Sequence, residues 1–106
     1  MEILTRLEEA ILVAILKLAD DAYGVTINRE VSRIFNKTYS MGALYFSLDQ
    51  LYEKGHVRKE VGEPTPKRGG RSKTYYRLTR EGQEAMRAVR NHQTALWRGL
   101  ADLEAE

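Results

Sequence analysis

Ten residues rich in turn formers, 62–71, separate two short runs that favour extended backbone. The first run is His56–Val61. The second, Ser72–Leu78, carries Thr74, Tyr75 and Tyr76, residue types that suit a pleated strand. Between them lie both prolines of the chain, Pro64 and Pro66, and the pair Gly69-Gly70. The pattern predicts a glycine-tipped hairpin. A two-stranded ribbon alone is marginal in water, so this one must pack on helices. Its charge is unusual. Lys67, Arg68, Arg71, Lys73, Arg77 and Arg80 fall in one stretch that holds no acid, while the whole chain carries a formal charge of only +2. The compensating acids sit at the two ends, at Glu2, Glu8 and Glu9 and at Asp102, Glu104 and Glu106.

Three helix-like segments precede the hairpin. The first is predicted over Arg6–Leu18, opened by Thr5 with Glu8 three residues on, the spacing of a capping box. Leu7, Ile11, Ala14, Ile15 and Leu18 share one face, and Leu12 and Leu16 widen the stripe. So wide a stripe suggests more than one neighbour, including a second copy of the chain. Asp20-Asp21-Ala22-Tyr23-Gly24 interrupts the pattern, and a second helix follows over Val25–Phe35. After the turn Asn36-Lys37-Thr38-Tyr39, Ser40 caps a third helix, Met41–Lys54, which Gly55 ends. Leu44, Leu48 and Leu51 point this helix inward, which sends Gly42, Ala43, Phe46, Asp49 and Gln50 outward. An outward phenylalanine asks for a partner.

A final helix is predicted from a cap at Thr79 to about Glu104. Met86, Val89, Gln93, Leu96, Leu100 and Leu103 follow a heptad-like spacing along it. Such a helix is too long for a small domain to cover. With Leu12 of the first helix, these residues are read as the seam of a homodimer. The expected fold is α+β, mainly α: a winged helix-turn-helix over residues 1–78 and a dimerisation helix over 79–106.

Other classes fall away. Without cysteine there is no disulfide and no thiolate metal site. His56 and His92 are far apart in sequence, too few for zinc. No nucleophile–base pair or phosphate-cradling loop is visible, so neither an enzyme nor a cofactor is expected. The longest apolar run, Ala10–Leu16, is well short of a membrane span, and a cytoplasmic location is expected.

A helical trio followed by a basic hairpin suits duplex DNA, with the third helix in the major groove and the hairpin on the phosphates. The surface is assigned to Lys37, Thr38, Tyr39, Ser40, Gly42, Ala43, Tyr45, Phe46 and Gln50. The hairpin adds Lys67, Arg68, Gly69, Gly70, Arg71, Lys73 and Tyr75. Small residues at 42 and 43 allow close approach. Ala43 or Phe46 suits a thymine methyl, and Gln50 suits adenine. Asp49 opposes deep insertion of the helix's middle. The bland alternatives are a solvated helix face and a solvated charged loop. A competing class is a protein-interaction or ligand-binding module that ignores DNA. Trp97 is either plain packing or a stacking surface for a flat, aromatic effector.

These residues also carry a resemblance. At Tyr23-Gly24, at Gly42-Ala43-Leu44-Tyr45 with Leu48, Leu51 and Gly55, and at Arg68-Gly69-Gly70-Arg71 with Lys73, Tyr75-Tyr76, Leu78-Thr79 and Gly82, the chain resembles the PadR family of bacterial transcriptional regulators. The likeness spans Leu7 to Arg87, and the single helix beyond it resembles the family's short branch. The resemblance implies a homodimeric repressor on pseudo-palindromic operator DNA, with the last helix packed across the dimer against the first. It also implies release by a small effector bound between subunits, for which Trp97 and Gln93 are the candidates.

Overall fold

The computed structural model describes residues 3–62 and 73–100. Four α-helices and one two-stranded sheet follow in the order α1 (Arg6–Leu18), a 3-10 turn (Ala19–Asp21), α2 (Gly24–Phe35), α3 (Met41–Glu53), β1 (Val57–Val61), β2 (Thr74–Leu78) and α4 (Arg80–Trp97). This is the expected winged helix-turn-helix.

Each helix begins and ends for a local reason. The Thr5 hydroxyl accepts from the Glu8 amide at 3.0 Å, and the Glu8 carboxylate accepts from the Thr5 amide at 2.9 Å. Two of the four orphan donors at the start of α1 are thereby satisfied. Asn36 ends α2 in the left-handed region at φ 51°, and Lys37 N–H reaches back to the Ser32 carbonyl. Gly55 ends α3 at φ +80°, with His56 N–H bonded to the Leu51 carbonyl at 2.9 Å and Gly55 N–H to Tyr52 at 3.0 Å. That pair of bonds is a Schellman closure, and it turns the chain directly into β1.

The core lies where α1, α2, α3 and the sheet converge. Ile11, Leu12, Ile27, Val31, Leu44, Leu48 and Leu51 are fully enclosed. Each such side chain contributes about 1.5–3 kcal/mol relative to exposure. Val57 and Tyr76 close the core from the sheet. The strands run antiparallel with Val57 opposite Leu78 and Val61 opposite Thr74. Strand alternation then divides the ribbon. Val57, Lys59 and Tyr76 take the helix side, while Arg58, Glu60, Tyr75 and Arg77 take the other.

Two expectations are corrected. Leu12 has no surface to offer a partner, because the chain's own core encloses it. Leu16, one turn on, is 60% exposed instead. The last helix ends at Trp97 rather than near Glu104. Arg98 leaves the helical region and Gly99 takes φ +82°. The apolar spacing ran on, but the glycine broke the helix. Leu103 and the segment beyond residue 100 lie outside the described residues, as do Lys67, Arg68, Gly69, Gly70 and Arg71 at the hairpin tip. Among the described residues, no helix is long and apolar enough to cross a membrane.

Candidate nucleic-acid interface

The outward face of α3 is the expected one. Ser40, Gly42, Ala43, Asp49 and Gln50 are exposed, Tyr45 is 43% exposed and Phe46 66%. The Ser40 hydroxyl caps the helix by accepting from the Ala43 amide at 3.1 Å. The helix N-terminus, with its partial positive charge, therefore opens onto the same surface. Lys37 and Thr38 in the preceding turn are exposed as well.

Two tyrosines are spent largely on packing. Tyr39 is half-buried, edge-on to Phe35 at 6.1 Å, with its carbonyl held by the Asn28 side chain at 2.8 Å. The Tyr45 hydroxyl lies over Gly24, at the place a side chain there would occupy. Gly24 is thus the notch through which α2 and α3 approach.

The sheet packs directly against this helix. Lys59 sets its ammonium 3.6 Å from the Asp49 carboxylate and 4.4 Å from the centre of the Tyr52 ring. Burial pushes the Tyr76 phenol above its ordinary pKa, and neighbouring Tyr45 and Asp49 add to the shift. Lys59 was not among the sequence candidates. Strand alternation from Val57 was the available signal. Its position answers the objection that Asp49 raised, since the carboxylate is matched by a cation at the same surface.

The basic stretch splits. Arg77 turns away from α3 and binds Asp20 at 2.8 Å, Glu60 at 3.1 Å and the Ala19 carbonyl at 3.0 Å. The Arg77 hydrogen bond holds the Glu60 carboxyl below its usual range despite opposing desolvation. Lys73 instead lies 3.7 Å from the centre of the Tyr23 ring, and Tyr23 meets Tyr75 edge-on at 5.7 Å. A single bridge between Tyr23 and Tyr75 fastens the start of α2 to the ribbon. Tyr75 is half-buried in this contact.

Between α1 and α4 lies an open groove of about 570 Å³, lined by Val13, Leu16, Leu78, Met86, Arg90 and Gln93 among others. Gln93 is therefore where the sequence placed it, but Trp97 is not part of the lining. Trp97, Leu96 and Leu100 stand exposed at the end of α4 (49%, 71% and 64%), whereas Met86 and Val89 pack on the chain's own core. A second cleft, of about 350 Å³, brings His56 and His92 together with Glu81 and Glu84. Separation in sequence hid this approach. Among the described residues no group of three or more metal-binding side chains is assembled.

The same architecture recurs in solved structures. RosR of H. salinarum is 28% identical, with 96% of this chain and 84% of that one covered and a TM-score of 0.70. The hsRosR-SG complex structure is 32% identical over 95% of this chain and 80% of that one, with a TM-score of 0.66. A PadR family transcriptional regulator of Eggerthella lenta shares the fold at 22% identity, 85% and 76% coverage and a TM-score of 0.66. No curated protein matches. The family model for PadR-like transcriptional regulators matches residues 11–88, from the middle of α1 into α4. With that match laid over three core helices, a wing and an exposed third helix, the chain belongs to the PadR-like family of transcriptional regulators.

Proposed function

We propose that this chain is a homodimeric, sequence-specific DNA-binding repressor acting in the cytoplasm. One observation carries the reading. The third helix buries Leu44, Leu48 and Leu51 completely and turns Gly42, Ala43, Phe46 and Gln50 to solvent, with a cation-bearing strand packed beside that open face. Two such helices in a dimer would enter successive major grooves about 34 Å apart on a pseudo-palindromic operator. Lys37, Lys73 and the wing cations would neutralise phosphates and release counterions, while Lys59 offsets the Asp49 charge. Residues 79–106 would supply the dimer contact, together with Leu16.

Repression ends, in this reading, when a small aromatic effector binds beside the groove between α1 and α4. Gln93 would contact it from the groove, and Trp97 would reach it only across the dimer. A ligand that favours one spacing of the two recognition helices shifts the population away from the operator-fitting form.

Selection of bound duplexes from a random library tests the proposal. An inverted repeat supports it. Retention of no duplex in dilute buffer contradicts it and favours the rival class, a protein-interaction module that uses exposed Phe46 against an apolar groove. The rival also predicts binding that is indifferent to salt.

A further inference from the structure

Gly42 and Phe46 stand four residues apart on the exposed side of α3, so they share one face, a turn apart. Among the described residues, a Cβ placed on Gly42 would meet no atom within 4 Å. Its backbone is not among the glycines with positive φ. Among the described residues nothing therefore calls for glycine here, although glycine weakens a helix relative to alanine. Phe46 is likewise a poor choice for a solvated helix, being 66% exposed. Both residues make sense if something outside the chain fits between them. Side chains on a helix lean toward its N-terminus, which directs the Phe46 ring toward the turn that carries Gly42. The ring still keeps more than 4 Å from the empty Cβ position. The ring therefore leaves the Gly42 backbone uncovered, and an apolar group from outside can reach that backbone beside the ring.

We propose that the Gly42 backbone and the Phe46 ring form a notch that takes the 5-methyl group of a thymine. The inference rests on the DNA-reading face proposed above and names what that face reads. In the major groove, thymine shows an O4 acceptor and the C5 methyl, and the methyl is what separates it from uracil. Gln50 lies a further turn along the helix and would read a different base pair. Ala43 is too short to enclose a methyl alone.

The test uses the full chain. An operator is first selected from random duplexes and then resynthesised with deoxyuridine in place of one thymine per half-site at a time. One thymine position is expected to stand out, losing about fourfold in affinity per methyl removed, the equivalent of one CH2 leaving apolar contact. Across two half-sites this multiplies to about 15-fold. Phe46→Ala should abolish that sensitivity, leaving less than a twofold difference between the thymine and uracil duplexes. Gly42→Ala should do the same by filling the notch, while its thermal midpoint stays at or above that of the parent chain. Phe46→Leu should keep most of the preference. If duplexes are retained but no thymine is methyl-sensitive, or Phe46→Ala is as sensitive as the parent, the notch is overturned and the DNA reading survives. If no duplex is retained, both fall.

Discussion

Lys59 of β1 holds its ammonium 3.6 Å from the carboxylate of Asp49 on α3. The contact joins the wing to the helix whose open face is the proposed DNA surface. It also removes the charge that would otherwise repel phosphates from the middle of that helix. Both side chains keep solvent access, at 35% and 63%, so the pair adds less than about 1 kcal/mol to stability. Its weight falls on binding. Lys59→Gln should weaken operator affinity about tenfold and reduce the salt slope by about one. Asp49→Asn alone should strengthen binding, and the double variant should return close to the parent. Fluorescence anisotropy at several salt concentrations measures all three.

Acid should loosen the joint between α1 and the end of α3. The Glu8 carboxylate is 6% exposed and lies 2.8 Å from the Lys54 ammonium. Burial pushes the Glu8 carboxyl up, but the Lys54 hydrogen bond, the Thr5 amide and the Lys54 charge together hold it below the ordinary glutamate value. A group lowered in the folded state contributes fully above its unfolded pKa, about 4.3. That contribution disappears as pH falls through the lowered folded value. Glu8→Gln should cost about 1–3 kcal/mol at neutral pH. It should also flatten the loss of stability below about pH 4.3. Thermal unfolding between neutral and acidic buffer reads both effects.

Gly82 should tolerate no side chain. A Cβ there would collide with the His56 carbonyl oxygen, at the junction of α3 and β1. Gly82→Ala must displace the first turn of α4, at about 1–3 kcal/mol. Chemical denaturation compares it with Gly42→Ala, which meets open space and should be neutral or stabilising.

Charge on the free apolar face should separate the subunits. Leu16 and Leu96 are 60% and 71% exposed. Leu16→Glu or Leu96→Glu should sediment as a monomer and lose about 100-fold in affinity for an inverted repeat, because the second half-site no longer gains from linkage. Binding to an isolated half-site should change little.

Much of this architecture was readable from periodicity and caps. Helix α1 has the bounds that its leucine and isoleucine spacing and the Thr5–Glu8 box predict, and Gly55 closes α3 where a terminal glycine should. The open face of α3 followed from placing three leucines inward. What escaped was pairing between distant segments. The basic run read as one patch, yet Arg77 is tied to Asp20 and Glu60 on the far side of the ribbon, while Lys59, outside the run, reaches α3. Only the antiparallel register decides which side of a strand a cation takes. Leu12 shows a second limit. Hydrophobic spacing marks burial without saying whether the same chain or another copy supplies the cover. The heptad pattern of α4 likewise ran on past the glycine that ends the helix.

The most direct test of the central claim is the affinity of the purified chain for its selected duplex, measured from about 50 to 200 mM salt. A helix and wing seated together on DNA should give a log–log slope of about −5 or steeper, since each phosphate contact contributes about −0.9. Affinity that does not change with salt, or no binding at the lowest salt, would contradict a shared DNA surface of α3 and the wing.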